Sequence, residues 1–343
     1  MTYSEVREFY AFKSTSTNYM NFSVDKTIFC PNDFRGALTA TLIFVGLVAL
    51  IVVTVGGNLM VIISISHFKQ LHTPTNLIIL SLATSDLMVG ITDMPFNIVF
   101  QMTCVNMSST FCFVSYLCSY HLTFLSIYNV CLISLDRFYA LCYPLWYSNR
   151  VTVKVICVVI GLLWLLSFMY NMLYVYFHAP CTKDMLYDDD TVNQSWIWPS
   201  IDFVIVFVLP CSLIIIFYVK IFLIARKHAK NIRSIRAQHT SVNTPYERTH
   251  KDSERKAATK LGILVIVFVL FLLPYFVFIQ LSGFIPAIPV LKATLTILQL
   301  NSAVNPVIYA FVFPWFRKCA KVILTLRIFS HDQSFINVLL NTV

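Results

Sequence analysis

The stretch WPSIDFVIVFVLP, Trp198–Pro210, has the Ile, Phe and Val content of a helix lying in hydrocarbon, interrupted by a single carboxylate, Asp202. An ionised Asp at the centre of a bilayer helix costs about 2.5–3.5 kcal/mol on insertion scales, so such a side chain faces a protein interior or a wet cavity and has a partner there. Whether the flanking sequence is membrane-spanning decides the fold. What Asp202 waits for decides the function.

The rest of the chain answers the first question. Of 343 residues, 58% are hydrophobic and 12% charged, with mean hydropathy +0.74. Soluble domains carry about 25% charged residues, which excludes that class. Apolar runs able to cross about 30 Å of hydrocarbon recur at 37–65, 76–101, 110–142, 154–176, 197–225, 257–283 and 288–311. The expected fold is an all-α membrane protein, a seven-transmembrane helix bundle over 37–311. It follows an N-terminal segment (1–36), contains a polar basic loop (226–256) and precedes a tail (312–343). PWFRKCAKVIL in that tail has the apolar spacing of a short amphipathic helix resting on membrane lipid, with Cys319 a candidate for palmitoylation.

Positively charged loops stay cytoplasmic. Arg226, Lys227, Lys230, Arg233, Arg236 and further Lys and Arg crowd the loop after span five, and Arg317, Lys318 and Lys321 the tail, whereas beyond the N-terminal segment the opposite loops carry only Lys183 and Lys292. This predicts an extracellular N-terminus and a multi-pass plasma-membrane protein. The N-x-[ST] sequons at Asn21, Asn106 and Asn193 all fall on the predicted outer side. The first residues lack an apolar signal core, so span one is expected to act as an uncleaved anchor. The net charge of +9 reads as topology plus attraction to anionic lipid, not as a nucleic-acid surface. Cys30, Cys104, Cys112 and Cys181 fall where disulfides can form, and no Cys/His spacing suggests a metal.

Polar residues inside spans are costly and therefore informative. Asp86, with Ser126, Asn301 and Ser302, makes an oxygen-rich set suited to a small hard cation such as sodium, or else a water-filled structural network. Asn58 and Asn305 read as interhelical hydrogen-bond donors, with Pro306 kinking span seven and Pro274 span six. Asp136-Arg137-Phe138 closes span three and Glu254 opens span six; an Arg137–Glu254 pair would clamp the inner face, a bistable contact that an outward swing of span six breaks. On the outer half, Asp93 lies seven residues beyond Asp86 and is expected on the same face. Asp93 and Asp202 would then face one cavity walled by Tyr275, Phe276, Phe203 and Tyr116. A carboxylate with aromatic faces suits an organic ammonium, although Asp202 also has the alternative of a structural hydrogen bond. Gln299, a candidate contact, and His121 read first as packing or network residues.

These elements come in a known order. GGNLMV, LATSD, DRFYALCYPL, Trp164, Pro210 with Tyr218, and NPVIY followed by FPWFRK resemble the rhodopsin-like G protein-coupled receptors over nearly the whole chain. Within them, Ile63–Asn76 (ISISHFKQLHTPTN), Asp136–Ser148 (DRFYALCYPLWYS), Arg255–Ile263 (RKAATKLGI) and Asn301–Lys318 (NSAVNPVIYAFVFPWFRK) resemble the trace amine-associated receptors. The resemblance implies a Cys112–Cys181 disulfide and a sodium pocket at Asp86, Ser126, Asn301 and Ser302. It also implies an activation switch of Asp136, Arg137, Tyr218, Asn305, Pro306 and Tyr309 acting on a heterotrimeric G protein.

Departures from the family sharpen the reading. The usual span-three Asp, eighteen residues before Arg137, is Ser119 here, which cannot be a counterion. Asp202 matches a span-five position used in a subset abundant in teleost fish, so it is expected to be the relocated ammonium counterion of a receptor for small amines, an olfactory one. Asp93 nearby raises the option of a diamine. The span-six C-W-x-P pattern appears as Phe271-Leu272-Leu273-Pro274, without the aromatic toggle, and Phe313 replaces a Tyr. No nucleophile and base converge as an enzyme requires, and no repeated halves suggest a transporter. A constitutively active or non-amine receptor is the alternative, and no cofactor beyond sodium is expected.

Overall fold

The computed structural model describes residues 34–102, 108–178, 197–238, 262, 265–281 and 288–325. Six helices are long and apolar enough to cross a membrane, and Val265–Leu281 adds a shorter apolar one, giving the seven-helix bundle. Span one is Phe34–His67, span three Ser109–Cys142, span four Val153–His178 and span seven Ile288–Val312. Span two joins Pro74–Met88 to Met94–Met102 through a widened, π-helical turn at Val89–Asp93. Span five likewise joins Ile197–Asp202 to Leu209–Gln238 through a π-helical turn at Phe203–Val208. Short helices follow span three (Pro144–Arg150) and span seven (Pro314–Leu324).

Both widened turns have a local cause. A proline has no N–H to donate and its ring presses on the carbonyl four residues back. Pro95 thereby acts on Ile91 and Pro210 on Val206, each inside a π turn, where the looser spacing takes up the lost bond. Helix starts follow the expected chemistry. Thr73 Oγ1 accepts from the Asn76 amide at 3.3 Å ahead of Pro74, and Ser108 Oγ accepts from the Phe111 amide at 3.3 Å. Within the spans, Thr54, Ser64, Thr84 and Ser115 return their hydroxyls to carbonyls four residues back, which satisfies them without water.

Span three is the hub, packed against spans two, four and five, while span one lies against two and seven. The burial pattern inverts that of a soluble protein. Asn58, Asp86, Asn129, Asn171 and Asp202 are inside, while Leu42, Val52, Leu166, Phe222 and Phe311 project outward, as a lipid environment requires. Spans one and seven approach so closely that a Cβ on Gly57 would lie 2.8 Å from the Pro306 Cβ. Small residues permit such approaches, and dispersion plus hydrogen bonding hold them. The Asn58 amide donates to Ser302 O at 3.0 Å across that seam.

Pro314–Leu324 is the amphipathic helix foreseen in the tail and lies against span one, with Trp315, Phe316 and Cys319 inward and Arg317 and Lys321 outward. Cys319 is fully buried and its thiol is pushed up to about 11 by that burial, which corrects its reading as a palmitoylation site: an acylated cysteine has to face lipid. Glu254, the sequons at Asn21, Asn106 and Asn193, and Cys30, Cys104 and Cys181 lie outside the described residues.

Candidate ligand-binding site

Asp202 ends the first helical piece of span five and is 7% exposed, turned into the bundle. Its Oδ1 accepts from the Tyr170 hydroxyl of span four at 2.9 Å, and among the described residues no Lys or Arg pairs with it. The carboxylate borders a cavity of about 40 Å³, lined from span three by Ser119, Tyr120 and Thr123 and from span four by Asn171 and Tyr174. Spans five, six and seven contribute Phe203 and Val206, Tyr275 and Phe276, and Leu298. Phe276 stacks on Phe207 at 4.7 Å and meets Phe203 at 6.2 Å, forming an apolar side. The hydroxyls of Tyr120, Tyr174 and Tyr275 adjoin one another and Asp202.

The structure therefore brings Asp202, Ser119, Tyr275, Phe276 and Phe203 together and leaves three expected residues off the cavity. Asp93 accepts from Gln299 Nε2 at 2.7 Å, and Gln299 in turn accepts from Asn97 Nδ2 at 2.8 Å, a polar ladder between spans two and seven. Ser119 hydrogen-bonds Asp93 and stands between it and the cavity. Asp86 and Asp93 do share a face of span two, since both bond to spans three and seven, Asp86 through Ser126, Ser302 and Asn305 and Asp93 through Ser119 and Gln299; what fails is the expectation that Asp93 borders the cavity. Gln299 is spent in the ladder. Tyr116 stacks on Tyr120 at 6.2 Å and is 36% exposed, away from the cavity.

Sequence reasoning missed Tyr120, Tyr170, Tyr174 and Asn171. A signal was available: Tyr170 and Tyr174 are four apart on span four, hence on one face, and Tyr120 follows Ser119 directly. Leu272, at the toggle position, is 1% exposed and buried in the apolar core, not at the cavity.

A second buried carboxylate lies deeper. Asp86 Oδ1 accepts from Ser302 Oγ at 2.8 Å and Ser126 Oγ at 3.1 Å, and Oδ2 from Asn305 Nδ2 at 2.7 Å. The carboxylate and two hydroxyls form an all-oxygen donor set that fits a hard monovalent cation. Asn301 is buried but makes no hydrogen bond to Asp86 among the described residues; Asn305, one turn further, takes the carboxylate instead. Tyr309 is fully buried beside Asp86 with its hydroxyl unpartnered, inside a helix that runs through Pro306.

The far end of span three carries the third cluster. Arg137 Nη2 meets Asp136 Oδ2 at 2.6 Å and also donates to Thr75 Oγ1, which itself donates to Asp136 Oδ2 at 2.7 Å. The Tyr147 hydroxyl of the short helix donates to Asp136 Oδ1 at 2.6 Å. Burial, reinforced by the Asp136 charge, pushes that phenol up to about 12, so it stays a proton donor. Leu145 beside it is 82% exposed. Tyr218 on span five packs against Gly262, whose added Cβ would sit 3.4 Å from the ring. Lys220 lies 5.7 Å from the Phe138 ring centroid. Cys112 is disulfide-bonded, and Cys181, its implied partner, is among the undescribed residues.

A seven-helix bundle with a lined cavity between spans three to seven and a tethered Arg at one end defines a membrane receptor architecture, and comparison with known proteins agrees. The family of the 7 transmembrane receptor (rhodopsin family) matches residues 57–309. Trace amine-associated receptor 13c of Danio rerio is 36% identical over 311 residues, covering 88% of this chain and 90% of the relative. Trace amine-associated receptor 7c of Rattus norvegicus is 38% identical over 300 residues (84% and 83%), and trace amine-associated receptor 6 of Homo sapiens 36% over 302 (84% and 86%). The chain belongs to the rhodopsin family of seven-transmembrane receptors and, within it, to the trace amine-associated receptors. It is accordingly a multi-pass plasma-membrane receptor and not an enzyme.

Proposed function

We propose that this receptor senses small protonated amines, as an olfactory receptor, and that Asp202 is the ammonium counterion. The observation that carries the reading is a carboxylate 7% exposed on a cavity wall, held by one tyrosine hydroxyl and by no cation among the described residues. An organic ammonium completes its charge, while the rings of Phe203, Phe276 and the tyrosines offer cation–π faces. Ser119, a neutral hydroxyl already bonded to Asp93, borders the same cavity from span three and offers no charge, so the ammonium head belongs at span five.

An agonist must bind the active state more tightly than the resting one. Tyr275 and Phe276 on span six border the cavity, whereas Leu272 does not, so ligand contact moves span six through those two rings rather than through the missing toggle. The Arg137 end faces the cytoplasm, following the basic loops, and the N-terminus is extracellular. Release of Arg137 from Asp136 and Thr75, with Tyr218 and Tyr309 rearranging, opens that end to a heterotrimeric G protein, for which Leu145 provides an exposed apolar contact. The Asp86 carboxylate with the Ser126 and Ser302 hydroxyls would hold an allosteric sodium ion, which supplies a positive charge that stabilises the resting packing of spans two, three and seven.

The test is Asp202→Asn. Amine potency in cells expressing the receptor should fall about thirtyfold or more, since removing one member of a buried charge pair costs about 2–5 kcal/mol, with surface expression unchanged. Full potency in that variant would reject the assignment.

A further inference from the structure

Asn171 on span four is 1% exposed and lines the same cavity as Asp202. Its Nδ2 donates to Ser167 O at 2.7 Å, while Oδ1 is buried without a hydrogen-bond partner. The orientation of the amide is determined: turning it over would set Oδ1 against the Ser167 carbonyl, two acceptors with no proton between them. The Ser167 carbonyl already receives the helix's own amide hydrogen, so the side-chain bond serves to aim the carboxamide and not to complete the helix. Buried acceptors are almost always paired in folded proteins, and an unpaired one on a residue that lines a ligand cavity marks a place where a donor belongs.

We infer that Asn171 is the second polar anchor of this site, its carboxamide oxygen accepting an N–H from the ammonium that Asp202 neutralises, and that this makes the receptor selective for primary over N,N-dialkylated amines. The inference rests on the amine reading above and extends it to the ligand's substitution at nitrogen. A primary ammonium has three N–H donors and can engage Asp202 and Asn171 together across a cavity of about 40 Å³. A dimethylated ammonium has one. Once Asp202 takes that hydrogen, the methyl groups face Asn171 Oδ1 and leave it desolvated and unpaired, the situation in which polar sites discriminate most strongly.

The experiment uses the full receptor in cells, with surface level recorded for each variant. The probes are linear primary amines from ethyl to octyl, each paired with its N,N-dimethyl derivative. The wild type should respond to the primary member at lower concentration. Asn171→Leu, close in size but without the acceptor, should lower primary-amine potency about ten- to a hundredfold and shift the dimethyl members about threefold or less. Asn171→Asp, which keeps an acceptor oxygen, should retain the preference. If Asn171→Leu does not reach the surface, Asn171→Ala makes the same comparison. An equal fall for both members, no fall for the primary one, or a wild type without preference overturns the inference. When that happens while Asp202→Asn still loses both members, the amine reading survives alone. Potency retained in Asp202→Asn, or no response of the wild type to any pair, overturns both.

Discussion

Asp86 and Asp202 are two carboxylates buried in the same bundle, and they differ in what surrounds them. Asp86 receives three side-chain donors from spans three and seven; Asp202 receives one, from Tyr170. A hydrogen bond to a charged group contributes about 1.5–3 kcal/mol, so three exceed the insertion cost of about 2.5–3.5 kcal/mol whereas one covers at most about its lower end. Asp93 is tied to Gln299 and Ser119. A charge with a filled shell belongs to the scaffold or to a small ion. A charge short of donors, on a cavity wall, is where a ligand nitrogen contributes.

The contrast breaks most sharply if the anchor can simply be moved. In Ser119→Asp combined with Asp202→Ala, the new carboxylate meets Asp93, whose hydrogen bond to Ser119 it replaces with like-charge contact. Amine dose–response should show a loss of about a hundredfold or more, and adding Asp93→Asn should restore most of it. Full rescue by the double variant alone would mean that Asp93 is not a charged neighbour of that position.

A smaller effect tests the seam that holds the Asp86 side of the bundle. Gly57→Ala puts a methyl into the Pro306 ring and should destabilise the detergent-solubilised receptor by about 1–3 kcal/mol, read as a lower thermal midpoint. Gly161→Ala, with nothing within 4 Å of the added carbon, is the matched control and should leave the midpoint in place. Asp86→Asn keeps the shape of the filled shell but removes its charge. Agonist potency, expected to shift about fivefold when sodium is replaced by potassium in the wild type, should become indifferent to the exchange. The smallest effect is expected at the other end of span three. Tyr147→Phe removes one of the bonds on Asp136, a loss reduced to about 1 kcal/mol because Tyr147 is only half-buried and water can replace the phenol, and should raise basal second-messenger output a few-fold, measured without ligand. Because burial pushes the Tyr147 phenol up to about 12, the difference in output between the wild type and Tyr147→Phe should not vary with pH across the physiological range.

How much was legible beforehand differs by residue. The spans and the amphipathic helix were readable from hydropathy, and Asp86, Asp202 and Arg137 stood out because a charge in an apolar run is conspicuous wherever it points. The partner sets were less readable. Asn305 rather than Asn301 reaches Asp86, and Tyr120, Tyr170, Tyr174 and Asn171 surround the cavity although Tyr and Asn in a span look like ordinary packing. Asp93 and Gln299, expected at the ligand, are occupied with each other.

By itself the sequence determined that this chain crosses a membrane seven times, belongs to the receptor family its motifs mark, and carries a carboxylate on span five in place of one on span three. These are local properties: transfer free energy adds residue by residue, and a motif is a spacing along one chain. Only the tertiary structure decided which polar groups meet, because contacts such as Asn305 to Asp86 or Gln299 to Asp93 join residues more than 200 positions apart. Their pairing depends on how each helix is rotated and packed against the others, which leaves one carboxylate among three donors and the other with one, on a cavity wall.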